Sequence, residues 1–306
     1  MNRKAVNRER PFRPAVRWLA VLAPLLVGNN ARATILAPET VASWEEYVQT
    51  AHTRLQEHLL PGHPFLSIDE KPGMAEAVRR GEPVVFPFGR TPQKIPAGLI
   101  HDWIGIVFIP NAKLDDVLST VRDYAHYSDF YAPAVMRSKA LKSDGSKDRF
   151  SMVLMNKSVI SRTALDSDYE VSYVRLDPYH WYSISEASRI QEVENYGTPA
   201  QRILPENQGT GLIWRLLSTT RYEERDGGVY IQVEAIALSR DIPVSLRWIA
   251  TPLVRRVSKH SLVTCLQQTS GAVYSRRLST LPLSANARRP AAQQANTRAN
   301  PVTSFR

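Results

Sequence analysis

The chain has 306 residues, of which 43% are apolar and 22% charged, an ordinary globular balance far from that of a disordered polymer. Its single cysteine, Cys265, excludes an intramolecular disulfide scaffold and any Cys-based zinc or iron–sulfur site. The formal charge of +10 is terminal: residues 1–33 and 276–306 each carry +6, leaving −2 for residues 34–275, so no folded basic surface for nucleic acid is expected.

In chain order, Arg3, Lys4, Arg8, Arg10, Arg13 and Arg17 precede an apolar run from Trp18 to Gly28, followed by Ala31-Arg32-Ala33. This is the pattern of a secretory signal peptide cleaved after Ala33. Eleven helical residues rise only about 16 Å, short of a bilayer core of about 30 Å. Residues 40–60 predict a helix with a capping box at Ser43 and Glu46 and a stripe of Trp44, Val48, Ala51, Leu55 and Leu59. Seven prolines between Pro61 and Pro96 predict an extended connector. Ile104–Ile109 reads as a strand stopped by Pro110. Asn111–Tyr124 reads as a helix with Leu114, Val117, Leu118 and Val121 as its apolar stripe.

Six strand segments follow, at Val135–Leu141, Arg149–Met155, Tyr169–Leu176, Trp181–Val193, Ile213–Glu223 and Val229–Leu238, punctuated by Asp144-Gly145, Asp177-Pro178 and Gly227-Gly228. The last ordered element is helical, Pro243 to about Tyr274, interrupted at Pro252, with Ser258 as a cap for its second half. From Ser279 onward the chain is Pro-containing and poor in large apolar groups, the composition of a flexible basic tail whose arginines suit peripheral contact with a membrane.

A meander of about six strands must cover one face, and only the flanking helices are long enough to do so. A curved sheet gripping a helix leaves a cavity suited to an apolar ligand. A two-residue Gly227-Gly228 turn pairs Asp226 with Val229 and puts Ala235 opposite Thr220 and Arg221 opposite Glu234. One face then carries Trp214, Leu216, Ser218, Thr220 and Tyr222 with Val229, Ile231, Val233, Ala235 and Ala237. The other, polar face carries Arg221, Gln232 and Glu234 and is expected to meet solvent. The candidate lining is Tyr131, Met152, Trp214, Ser218, Thr220, Tyr222, Val233, Ala235, Leu262 and Leu266. In strand 181–190 one parity carries Arg189 and the other Glu186, and either could point inward.

The passages Trp103-Ile-Gly105, Asp123-Tyr124, Phe130-Tyr131-Ala-Pro133-Ala-Val135 and Arg221-Tyr-Glu-Glu-Arg-Asp-Gly-Gly228 resemble the START-like superfamily, also called SRPBCC or polyketide-cyclase-like. The chain looks closest to a group of secreted bacterial proteins and is more distantly similar to the coenzyme-Q-binding START-like proteins. The resemblance covers about residues 99–276. It implies an α+β helix-grip fold, a curved antiparallel sheet around a long C-terminal helix, here with an N-terminal helical extension. The resulting organisation is 1–33 signal peptide, 34–98 helix and connector, 99–276 START-like domain and 277–306 tail.

No G-x-S-x-G, H-E-x-x-H or Walker A motif occurs. His101 beside Asp102 is the one base–carboxylate candidate, although neighbours on a strand face opposite ways. Cys265 suits a small core residue better than a nucleophile. The expectation is an exported carrier of a hydrophobic small molecule or lipid, without cofactor. The rivals are a cyclase/dehydratase-type enzyme using the same cavity, and an envelope interaction protein docking through helix 43–60.

Overall fold

A computed structural model describes residues 34–70, 73–157 and 162–280; the leader and the tail from residue 281 lie outside them. The elements, in order, are β1 (Thr34–Ile35), α1 (Pro38–Leu59), α2 (Met74–Arg79), β2 (Val84–Pro87), β3 (Gln93–Ile95), β4 (Gly98–Pro110), α3 (Leu114–Val121) and, after a 3-10 turn at Tyr124–His126, α4 (Tyr127–Phe130). They continue with β5 (Val135–Ser143), β6 (Lys147–Lys157), β7 (Arg162–Arg175), β8 (His180–Glu194), β9 (Arg202–Ile203), β10 (Gln208–Gly209), β11 (Arg215–Arg225) and β12 (Gly228–Arg240). A second 3-10 turn, Val244–Leu246, leads into α5 (Arg247–Thr280).

All six expected meander strands form, five of them longer than the sequence pattern and β11 shifted two residues on, and with β2 and β4 they pair antiparallel in the order β2-β4-β12-β11-β8-β7-β6-β5. α5 is continuous from Arg247 to Thr280 and contains Pro252, so Ser258 lies inside it rather than capping a second segment. α1 starts earlier than the capping-box pattern indicated. Pro38 occupies its first turn, where a missing N–H costs nothing, and the Ser43 hydroxyl donates to Glu39 O within the helix.

Two cores flank the sheet. On the inner face Trp103, Val107 and Ile109 of β4 join Tyr222, Val229 and Ile231 and the α5 residues Leu262, Leu266 and Val273. On the outer face Trp44 and Ala51 of α1 pack with Ile100, Trp214, Leu217, Ile236 and Leu238, while Leu66, Ile68 and Val78 cover Ile104, Ile106, Phe108 and Tyr230. Strand β4 is therefore buried on both faces, which explains its nearly unbroken apolar run. The polar face of the β11–β12 hairpin is not solvated. Arg221, Gln232 and Glu234 are all buried under residues 36–88, Gln232 at 1% exposure.

The hairpin register also differs from expectation. Ser218 pairs with Ala235, Thr220 with Val233 and Arg221 with Gln232, a slip of two residues that preserves which face each side chain takes. The turn is Asp226-Gly227, both at positive φ (55° and 75°), the conformation a two-residue hairpin loop demands. Gly228 belongs to the strand instead. A Cβ there would overlap Ile109 O and come within 2.6 Å of the Phe108 ring, so β4 requires this glycine and the turn does not.

Candidate functional site

The inner face is read most easily as rows across the sheet. Trp103, Ala235, Ser218 and Ser185 pair in succession across β4, β12, β11 and β8. Gly105, Val233, Thr220, Ser183 and Tyr173 form the next row, which ends on β7. Helix α5 rests directly on the second row at β4: a Cβ on Gly105 would come within 2.8 Å of Leu266 Cδ1 and 2.9 Å of Leu262. Gly105 thus lets the helix seat on β4.

Beyond that contact a stretch of the inner face stays partly accessible, and this accessible stretch is the candidate hollow. Leu216, Ser218, Thr220, Val233, Ala235 and Ala237 all face α5 and all remain only half-buried, while their outer-face neighbours Leu217, Thr219, Gln232, Glu234 and Ile236 are buried. Cys265 keeps accessible surface, yet desolvation by surrounding protein pushes its thiol up to about 11. Accessible surface and a desolvated setting coexist where a side chain lines a recess. The residue is therefore not core, and its thiol stays protonated and poorly nucleophilic at neutral pH.

An aromatic block flanks the hollow. Tyr124 stacks on Phe150 (4.4 Å between centroids), and Phe150 stacks on Tyr169 (4.8 Å). Tyr127 meets Phe150 and Tyr131 edge-on, and Tyr131 Oη lies 3.0 Å from Thr269 Oγ1 of α5. Burial raises the Tyr131 phenol well above its ordinary value, so it remains a neutral hydrogen-bonding group.

Nine of the ten expected lining residues fall on this side. Tyr222, Leu262 and Leu266 are in the inner core, with Met152 and Val233 packed against it. Tyr131, Ser218, Thr220 and Ala235 border the hollow as described. Trp214 does not: it precedes β11, and its ring packs in the outer core with Trp44 and Leu238.

Polar groups on the inner wall are sparse and mostly neutral. The Tyr222 and Ser183 hydroxyls lie 3.3 Å apart, and Ser185 and Ser218 are register partners across β8 and β11. The Trp103 indole N–H is buried with no hydrogen-bond partner. Charged groups on this face are satisfied at its periphery. The Asp148 carboxylate accepts from Arg122 (2.9 Å to each oxygen) and from Tyr124 Oη (2.9 Å). The Glu192 carboxylate accepts the backbone N–H of Thr210 (2.7 Å) and Gly211 (2.9 Å) and the Thr210 hydroxyl (3.0 Å). Sequence patterning missed Glu192, because skipping Ser188 in the β7–β8 pairing shifts strand parity just before it.

The other chemical candidates resolve simply. In β8, Trp181, Ser183, Ser185 and Ala187 pair with inner-face residues of the neighbouring strands, Glu186 is exposed, and Arg189 is tied to Asp168 (2.7 Å) and Asp166 (2.8 Å). Neither Glu186 nor Arg189 lines the hollow. His101 and Asp102 lie on opposite faces. His101 Nε2 is 2.9 Å from Ser239 Oγ, and burial lowers its pKa to about 4, leaving it neutral. Asp102 instead joins an outer-face cluster, accepting from Tyr47 Oη (2.8 Å) and Arg54 (3.0 Å), while Arg54 also reaches Glu234 and stacks over Phe88. No group of metal-ligating residues occurs among the described residues.

The architecture is an antiparallel sheet with a long C-terminal helix packed on one face. No family model matches the chain, and no curated relative does. Among solved structures, a STAR-related lipid transfer protein fragment from Xanthomonas axonopodis overlaps at TM-score 0.42 and 15% identity, covering 60% of this chain and 96% of that one. Human STARD10 overlaps at 0.41 and 10% identity, covering 64% and 75%. The Zhui aromatase/cyclase of a Streptomyces species overlaps at 0.38 and 13% identity, covering 58% and 96%.

Proposed function

We propose that the chain is an exported protein that holds a neutral, hydrophobic small molecule or lipid in the hollow between sheet and α5. The observation that carries this reading is the exposure contrast over Leu216–Thr220 and Gln232–Ala237: inner-face side chains there keep accessible surface, while their outer-face neighbours are buried. A packed core would show the reverse. The partly exposed Ser185, Ser218 and Thr220 supply a few hydroxyls on an apolar wall, as ligand sites do. Because the charged groups named on the inner face are already paired, a neutral ligand oxygen fits this wall and a free carboxylate or phosphate does not.

A cyclase-type reaction in the same hollow would need an acid or base facing the ligand. His101, the one base candidate the sequence offered, has its Nε2 engaged by Ser239, and burial lowers its pKa to about 4, which leaves it a weak base. Docking through α1 is likewise disfavoured, because Trp44, Ala51 and Leu55 of its stripe are buried against the sheet.

Native mass spectrometry of protein taken from its own envelope, with Nile red titration of the stripped protein, tests the proposal. A co-purifying neutral lipid and saturable dye uptake support it. A clean apo mass together with no dye uptake ends it.

A further inference from the structure

Charge in the C-terminal quarter is distributed in one direction. Residues 34–241 contain 22 Lys/Arg against 28 Asp/Glu, whereas residues 242–306 contain ten Lys/Arg and no acid. The 3-10 turn before α5 and the first turns of α5 expose large apolar groups in that same segment: Val244 is 74% exposed and Trp248 76%. Arg255, Arg256 and Lys259 are exposed beside them.

The helix geometry gathers these groups. At about 100° per residue, Arg255 and Lys259 fall within roughly 20° of the line through Trp248, about 16 Å apart end to end. Ala250 lies about 200° from Trp248 and packs with Val254 on Leu99 and Ile242. The segment is thus anchored to the body by one side and presents tryptophan and cations on the other.

We propose that this face, Val244, Trp248, Arg255, Arg256 and Lys259, docks the protein on an anionic lipid bilayer. A bilayer surface satisfies both chemistries at once: cations meet headgroup phosphates, while indole and valine enter the headgroup–acyl boundary. Nucleic acid would pair the cations and leave Trp248 and Val244 in water. No described helix is long and apolar enough to cross a membrane, so the segment lies on the surface. The proposal stands independently of what fills the hollow.

Co-sedimentation of the full processed chain with vesicles of phosphatidylcholine containing phosphatidylglycerol tests it. Each removed cation should weaken partitioning about fivefold, so Arg255→Gln/Arg256→Gln/Lys259→Gln together should weaken it about a hundredfold. Trp248→Ala should weaken it about tenfold or more. Both proteins should unfold at the wild-type temperature, because the altered side chains are exposed. Substituting Arg288, Arg289, Arg298 and Arg306 with Gln controls for the tail. The proposal is overturned by equal binding of wild type and triple variant, by binding lost only with the tail arginines, or by tighter wild-type binding to duplex DNA than to anionic vesicles.

Discussion

Ala235 lies between Ser218 on one neighbouring strand and Trp103 on the other, facing α5 and half-buried. Ala235→Trp should fill the hollow and abolish Nile red uptake, at a stability cost of about 1–3 kcal/mol from overpacking. Dye titration and thermal unfolding of the same sample separate the two effects, and normal uptake by the folded variant would remove Ala235 from the wall. On the opposite face Gln232 is buried, its Oε1 accepting from Ser67 N (2.8 Å) and its Nε2 donating to Ser67 Oγ (3.0 Å). Gln232→Ala should therefore destabilise by about 1–3 kcal/mol, the cost of an orphaned buried N–H, without changing uptake. Asp102 offers a pH signature. Burial, and then the charge of Glu234, raise its carboxyl from 3.8 to about 8 against the opposing pull of Tyr47 and Arg54. The folded state holds a proton that the unfolded state releases above pH 3.8, so this contribution is complete below that pH and is lost as pH rises through about 8. Asp102→Asn should flatten the fall in thermal midpoint between pH 5 and pH 8.5. Equal slopes in both proteins would remove Asp102 as its source.

At the scale of elements, residues 34–98 are a second cover for the sheet. They supply α1, the edge strands β2 and β3, and the side chains over Leu217, Tyr230 and Gln232. Thr40 Oγ1 donates to Pro96 O (2.8 Å), and Arg54 bridges α1 to Asp102 and Glu234. A chain of residues 99–276 alone would expose this apolar face and leave Asp102 and Glu234 without Arg54. It should lack a cooperative thermal transition, which calorimetry would show; a sharp wild-type-like transition would mean that the inner core suffices. Patterning made the meander legible because Asp144-Gly145, Asp177-Pro178 and Gly227-Gly228, the last placed one residue late, punctuate strands of clear alternation. The inner wall survived a two-residue slip because parity is unchanged by an even shift. The outer cover was not legible, for a physical reason: Arg221, Gln232 and Glu234 satisfy buried polar partners, and in sequence a buried polar row looks like a solvated one. Trp214 misled for a related reason, since alternation holds only inside a strand and this residue stands one position before β11.

For the whole molecule, the remaining expectation concerns where the chain works. The basic residues, apolar run and Ala31-Arg32-Ala33 motif predict export with cleavage after Ala33. Thr34 and Ile35 pair with Gly209 and Gln208, Leu36 N donates to Asn207 O at 3.0 Å, and Leu36 joins the outer core. Removing residues 1–33 also takes away seven Lys/Arg and one acid. The residual positive charge then lies entirely in residues 242–306, opposite in sign to an acidic body. Processing would thus leave a protein whose attraction to anionic surfaces is confined to its C-terminal segment, where electrostatic orientation can act. N-terminal sequencing of the native protein from the envelope fraction should return Thr-Ile-Leu-Ala from position 34. An intact Met1 or Asn2 recovered from a cytoplasmic fraction would end the export reading, while leaving the hollow and its ligand to be judged by uptake alone.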